Sequence, residues 1–430
     1  MTDVRTATRI VTREKTSVQE ISTDICVVGA GIAGISAALE AARLGHKVVL
    51  IDGLPALGGQ AVNSKIHMFC GLFSNAPDSF QLTHGIADEI LRDLGNQGAL
   101  HYRHGAWTTV MYDVEALSRW IEEAVRKEDI KVILGAVMRG VTREERRISS
   151  IELASRYGDL RVNATGFVDA SGDASLTWQA GLPCREPADG PIYGSHMMIL
   201  EGVEHQCQPT KDEISALIKE KGSKYGIVRA SGQAFPFPPR GKVATVNLTH
   251  EETPLDTVKA SEKMLEGKAQ ADRVFHFLKS EFSAAFGSAS IRSYGLPGIR
   301  QTRWIVGRQQ LSVDDVRAGT RFPDAIARTA WPLEIHDSLD GYYWEVFSGD
   351  HLHYVPYGSL TPPDVDNLIA AGRCLDGDVA AHSSVRVMGP SMAMGAAAAH
   401  GLDLAGAGSV HQIDMDELQE RIKDNIVRTD

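Results

Sequence analysis

Cysteine is scarce and unpaired in this 430-residue sequence. Its five cysteines, at positions 26, 70, 184, 207 and 374, are odd in number, and no two form a CxxC pair. This excludes the ligand spacings of a zinc ribbon or an iron–sulfur centre and points to a reduced chain without structural disulfides or a bound metal. Long apolar runs are also missing. A membrane helix needs about 20 apolar residues in succession; Met392–Gly408 comes nearest, but its glycines, His400 and Asp403 interrupt it. Basic charge is in deficit: 44 Lys and Arg against 55 Asp and Glu leave a formal charge of −11, which argues against nucleic acid or an anionic membrane as the main partner. The polar opening MTDVRTATRIVTREKTSVQE holds no apolar segment suited to a secretory signal. A cytoplasmic protein is therefore expected, with this stretch as an arm or initial strand. There is no internal repeat, and no second GxGxxG with an acid in register, so a built-in nicotinamide dinucleotide domain is not expected.

Glycine, in contrast, is placed with purpose. Ile25 to Asp52 reads ICVVGAGIAGISAALEAARLGHKVVLID. Ile25–Val28 suits a buried parallel strand, and Gly29, Gly31 and Gly34 form GxGxxG. The first glycine permits the tight turn, the second lets a pyrophosphate approach the backbone, and the third lets helix and strand pack closely. Ile35–Leu44 has helical spacing, Gly45 stops it, and Val48–Ile51 is the next strand. Asp52 lies about 20 residues past the turn, where a carboxylate accepts from a ribose 2′-OH. The unit binds an ADP-containing dinucleotide.

A second glycine pair, Gly58-Gly59, follows the ribose acid directly. A nicotinamide enzyme has no need of it, whereas an FAD enzyme does, because there the chain passes close to the cofactor on its way to the flavin. On this pair the sequence resembles the glutathione-reductase-like FAD fold. NLIAAGRCLDGDVAAHSSVRVMGPSMAMGAAAA resembles the returning flavin segment, with Gly389-Pro390-Ser391 opening a helix whose amides would face the flavin. GFVDASGDASLTWQAG, RQTRWIVG and HYVPYGSLTPPDVDNLIAAGRC complete a resemblance to the bacterial FAD-dependent oxidoreductases, distant relatives of the fumarate reductase and succinate dehydrogenase flavoproteins. It covers both ends of the chain better than the middle. It implies FAD as cofactor, held by Gly29, Gly31, Ala33, Gly34, Asp52, Gly53, Gly58, Gly59 and Gln60 from the first unit. Val137, Ala170, Ser171, Gly172, Gly372, Arg373, Asp376, Ser391, Met392 and Ala393 would complete the contacts.

The fold class expected is α/β: a Rossmann-like FAD-binding domain, parallel sheet plus β-meander, with an inserted α+β substrate lobe. Residues 21–187 form the first part of the FAD domain, with the meander around Lys131–Leu160. Residues 188–345 form the substrate lobe, 346–408 the returning part, and 409–430 a C-terminal helix. QAFPFPPRGK reads as a loop or lobe junction.

The flavin carries the redox chemistry, so the polar residues near it must handle protons and substrate charge. His336 in WPLEIHD is the candidate proton acceptor, against a structural hydrogen bond. Arg300 and Arg303 are candidate anchors for a substrate carboxylate, against salt bridges bracing the lobes. His353 and Tyr357, with His351, are further candidates; metal binding by the two histidines has no third ligand to support it. Arg386 and His382 read as bracing residues. Asn63, Ser64, His67 and Cys70 are near-flavin candidates, although none matches the residue through which some relatives attach flavin covalently. The leading reading is hydride transfer between a small organic substrate and FAD. An FAD-dependent monooxygenase or halogenase and an FAD-bearing electron-transfer subunit are the alternatives; the first lacks a WxWxIP-like string. Whether the chain forms a homo-oligomer is left open.

Overall fold

The computed structural model describes residues 8–12, 18–75, 78–105, 107–347 and 349–428. Its centre is a seven-stranded sheet. Val18–Val28 runs parallel to Val48–Asp52 on one side and to Gly158–Asp169 on the other, with Lys131–Leu134 as a parallel edge. Arg147–Ser155 and Val137–Glu144 continue antiparallel from Gly158–Asp169, and Leu368–Ala370, returning from late in the chain, pairs parallel with the end of that same strand. Ile25, Cys26, Val27 and Val28 are all buried, as a strand covered on both faces requires.

Two differences from the expected elements have local causes. The first strand begins at Val18, since its early half finds a ladder partner in Asp159–Val162; residues 1–7 and 13–17 of the expected arm lie outside the described residues. Lys131–Leu134 belongs to the parallel edge, so the antiparallel meander starts at Val137.

A second, four-stranded antiparallel sheet runs in the order Gln233–Pro236, Val243–Asn247, Ser195–Glu201, Ser290–Gly298. Helices Lys211–Tyr225 and Thr257–Glu281 contribute Ile214, Val274 and Phe277 to the core against it. QAFPFPPRGK is not a simple loop: Gln233–Pro236 is an edge strand, where a proline costs no ladder bond, and Pro238–Arg240 makes the turn after it. Ala325–Thr329 pairs with His353–Pro356, so the strands on either side of residue 345 are neighbours.

Helix Met388–Ala405 crosses helix Ile32–Arg43 at close quarters. A Cβ on Gly395 would stand 2.2 Å from Ala33 O, and Ser36 Oγ donates to Met392 O at 2.7 Å. The small residues of GPSMAMGAAAA make that approach possible. Among the described residues no helix is long and apolar enough to cross a membrane.

Candidate active site

The parallel strands end on one side, and there the chain opens a crevice of about 1390 Å³ between the main sheet and the four-stranded sheet. Crevices of this kind, outside the carboxyl ends of parallel strands, are where α/β folds bind ligands. At one end the backbone itself forms the wall. Gly29, with φ +102°, would bring a Cβ to 2.2 Å from Ala170 O; Gly59, with φ +48°, would bring one to 2.6 Å from Gly31 Cα. A Cβ on Gly34 would stand 1.8 Å from Gly29 O, so only glycine lets the helix start against the turn.

Two helix N-termini reach this wall without a side-chain cap. Gly31 precedes Ile32–Arg43, Val387 precedes Met388–Ala405, and neither supplies a capping oxygen. The first amides of Ile32–Arg43 and the Met388 amide carry partial positive charge and suit anionic or carbonyl groups of a ligand, whereas Gly389 N donates to Cys70 O at 3.0 Å and Pro390 has no N–H. Asp52 lies on the same wall, its carboxylate accepting from Ala30 N at 2.7 Å and Leu54 N at 2.8 Å. The glycine cradle and the bare amides fit an FAD. The diphosphate would meet the amides after Gly31, the ribose Asp52, and the ring the start of Met388–Ala405. Asp52→Ala is expected to weaken FAD binding by about 1–3 kcal/mol, the scale of a lost hydrogen bond to a charged group. Fluorescence titration of the apoprotein with FAD checks this.

The remaining expected cofactor contacts divide. Ala33, Gln60, Ala170, Ser171, Gly172, Gly372, Arg373 and Ser391 line the crevice. Gly34 and Gly58 stand behind the wall, Gly58 donating to Ala30 O at 2.8 Å and so holding the glycine pair against the turn. Others are placed away from it. Val137 is 64 % exposed on the meander and Gly53 faces solvent. Met392 and Ala393 are sealed between helices, and Asp376 is taken by Arg185 Nε at 2.9 Å and Gly307 N at 2.8 Å.

The catalytic candidates divide more sharply. Arg300 lines the crevice, buried, and donates to Tyr193 O at 2.7 Å and Ser195 Oγ at 2.9 Å. Arg303, three residues on, turns outward: it pairs with Glu186 at 3.2 Å and stacks on Trp178 at 4.1 Å. Tyr357 is wholly buried behind helix Met388–Ala405, donating to Val410 O at 3.1 Å. His353 is buried too, between Ser384 Oγ at 2.8 Å and His351 at 3.3 Å. Among the described residues no group of three ligands for a metal exists. Of the near-flavin candidates, Asn63, Ser64 and Cys70 line the crevice, whereas His67 is turned to Thr245. Burial pushes the Cys70 thiol far up, so it is protonated.

His336 is one layer back. Its side chain is fully buried, while that of Glu334, two residues earlier, keeps 21 % of its surface open to the crevice. Glu334 Oε1 meets His336 Nε2 at 2.8 Å, His336 Nδ1 meets His250 Nε2 at 2.9 Å, and His250 Nδ1 meets Leu339 O at 3.0 Å. Donor and acceptor roles follow from the far end. Leu339 O only accepts, so His250 Nδ1 carries a proton; neutral His250 then accepts from His336 Nδ1–H. Neutral His336 presents a bare Nε2 to a carboxylate, and two acceptors make no bond. The chain is therefore complete only with one further proton. Burial and nearby guanidinium charge push His250 down to about 2, and burial with Arg300 pushes His336 down to about 3. For Glu334, burial opposes ionisation, while the hydrogen bond and charge of His336, which act only when its Nε2 is protonated, and the charges of Arg386 and Arg300 hold the carboxyl below its usual range. All three groups favour their basic forms.

A bare glycine turn, a ribose acid and a second uncapped helix on one crevice are the marks of a dinucleotide site of the flavin type. Residues 24–422 match the family described as FAD dependent oxidoreductase, and the chain belongs to that family. It is an oxidoreductase with FAD as its cofactor. Among solved structures, a geranylgeranyl bacteriochlorophyll reductase-like protein from Thermoplasma acidophilum superposes with TM-score 0.51 at 14 % identity, over 95 % of this chain and 84 % of that one. PqsL of P. aeruginosa in complex with 2-aminobenzoylacetate gives 0.45 at 14 %, over 94 % and 93 %. The flavin-dependent brominase Bmp2 gives 0.46 at 13 %, over 94 % and 83 %. At these identities the first likeness shows the fold alone, and the other two carry no argument. No curated protein matches the chain.

Proposed function

We propose that this enzyme oxidises a small organic molecule by hydride transfer at the Glu334 end of the crevice. The observation that carries the reading is the Glu334–His336–His250 chain, basic, one proton short, and open to the crevice only at Glu334. A substrate C–X–H group becomes C=X by losing a hydride from carbon and a proton from X. FAD, when bound, supplies the acceptor for the hydride. Glu334 takes the proton and shares it with His336, and His250 anchored on Leu339 O fixes the orientation of both. Trp331 Nε1, donating to Glu334 Oε2 at 3.2 Å, keeps the second oxygen in place.

The same reading holds that the FAD domain is of the glutathione-reductase-like kind, related to the fumarate reductase and succinate dehydrogenase flavoproteins and of bacterial type. The parallel sheet with its antiparallel meander and late returning strand supports this. Residues 188–345 then serve as the substrate lobe of a cytoplasmic enzyme whose partners are small molecules and not nucleic acid, as the acidic balance favours.

The test is anaerobic stopped-flow spectroscopy of the yellow protein. Lacking a second dinucleotide fingerprint, it should be bleached by NADH or NADPH slowly or not at all. A metabolite panel should contain a compound that bleaches it. Rapid bleaching by either nicotinamide without substrate would replace this reading with the hydroxylase one.

A further inference from the structure

The crevice wall carries positive charge that proton transfer does not use. Arg229, Arg300 and Arg386 all line it; Arg229 and Arg300 keep only 4 % and 9 % of their surface exposed. Their hydrogen bonds go to neutral acceptors: Arg229 to Asn247 Oδ1 at 2.8 Å, Arg300 to Tyr193 O and Ser195 Oγ, and Arg386 to Glu334 O at 3.3 Å. Among the described residues, the Nε atoms of Arg229 and Arg386 are buried with no hydrogen-bond partner. The carboxylates whose charge reaches them are Glu334, shared by all three, and Glu251, which acts on Arg300. Buried cations in excess of their counter-charges are costly. In a chain of formal charge −11, such a cluster is not a general surplus of base. Burial outweighs the pull of Glu334 and lowers Arg300 to about 9 and Arg386 to about 10.

Flat rings stand beside the guanidiniums. Arg229 lies over Tyr342 at 5.2 Å, and Tyr342 meets Trp344 at 6.1 Å. Trp344 meets Trp107 at 5.1 Å and Trp331 at 5.8 Å, and all four rings are on the crevice wall. Aliphatic chains gain less from such a surface than a second ring, which adds stacking or edge contacts to area burial. The cofactor's phosphates have their own positive partners at the helix N-termini, whereas Arg229 and Arg300 flank strands of the other sheet.

We propose that the substrate is an aromatic carboxylate, its carboxylate held by Arg229 and Arg300 and its ring lying against Tyr342 and Trp344. This rests on the oxidoreductase reading above and gives that site its substrate class. It also links binding to chemistry: a bound anion offsets the positive charge that disfavours a proton on Glu334 and His336, so the proton chain becomes a better base once substrate is seated.

Calorimetric titration of the oxidised, FAD-saturated protein tests it, with benzoate, benzyl alcohol and succinate as probes. Benzoate should bind at least about 10-fold more tightly than either of the others. Arg229→Gln and Arg300→Gln should each weaken benzoate by about 10–100-fold, the loss of a charge-assisted hydrogen bond, with FAD content and melting temperature retained. Arg229→Lys and Arg300→Lys, which keep the charge but not the fork, should fall between and cover the case in which a glutamine variant misfolds. Benzyl alcohol binding as well as benzoate would overturn the anion. Succinate binding more tightly would overturn the ring, and unchanged benzoate affinity in both pairs of folded variants would overturn the site. Since no turnover is needed, these outcomes are separate from failure of the hydride reading, which is seen as a flavin that no metabolite bleaches.

Discussion

Glu334→Gln is expected to slow anaerobic bleaching of the flavin by substrate about 10²–10⁴-fold, the range for loss of a general acid–base group, with FAD still bound. The substitution is informative because the amide mimics the protonated acid. Its carbonyl can accept from Trp331 Nε1 and its NH₂ can donate to His336 Nε2, so every hydrogen bond of the chain is made. What is lost is the vacancy for a proton. Single-turnover spectra on folded, yellow variant are the measurement, and a wild-type bleaching rate would remove Glu334 from the chemistry.

His336 is buried one layer behind Glu334, so on the proposed reading it positions Glu334 rather than touching substrate. Neutral His336 leaves its Nε2 as the acceptor for a proton arriving on Glu334. His336→Gln, whose amide NH₂ can donate to the carboxylate, should therefore lower the proton affinity of Glu334 and shift the acid limb of the bleaching rate to lower pH. The sign is fixed, since a carboxylate that gains a donor and loses the acceptor for its proton binds that proton less tightly. A purely structural histidine would lower the rate without moving that limb.

How far the sequence could be read depended on whether the signal was local. The turn from Gly29 to Gly34, Asp52 and the glycine pair lie within a few dozen residues, and each glycine answers a backbone approach that a Cβ would block. The returning strand at Leu368–Ala370 was legible for the same reason, bounded by Gly372. The substrate end is assembled from far-apart segments. Arg229 stands in no motif; its position depends on Asn247 and Tyr342. In WPLEIHD the histidine is the more conspicuous proton acceptor, although an acid and a histidine two apart at a strand end do share a face. That spacing was the available signal; what it could not give is which of the two faces the crevice. Arg303 and Arg300 looked equivalent in RQTRWIVG, yet the chain turns between them: Gln301 binds Val379 O and Thr302 binds Asp173. His353 is buried because its strand joins Ala325–Thr329, and Tyr357, in the turn that follows, is buried with its hydroxyl on Val410 O.

Gly29→Ala should abolish FAD binding, and Gly45→Ala shows why the cause is contact and not conformation alone. Both glycines have a left-handed backbone, φ +102° and φ +93°. A side chain at Gly45 would meet nothing within 4 Å, so its substitution isolates the conformational cost, about 1–3 kcal/mol. At Gly29 the same cost is joined by a Cβ 2.2 Å from Ala170 O and 2.7 Å from Ser171 N, both backbone atoms that no rotamer change can move. Overpacking of this kind adds about 1–3 kcal/mol, and relief requires the Ala170–Ser171 turn to withdraw from the wall it shares with Gly31. Since ligand binding to the folded state stabilises it by mass action, loss of cofactor lowers the melting temperature further. Gly45→Ala should purify yellow with a modest fall in melting temperature that added FAD does not change. Gly29→Ala should purify colourless, with a melting temperature that added FAD does not restore. A yellow Gly29→Ala protein with normal FAD affinity would show that the contact between the two turns is not what shapes the cofactor site.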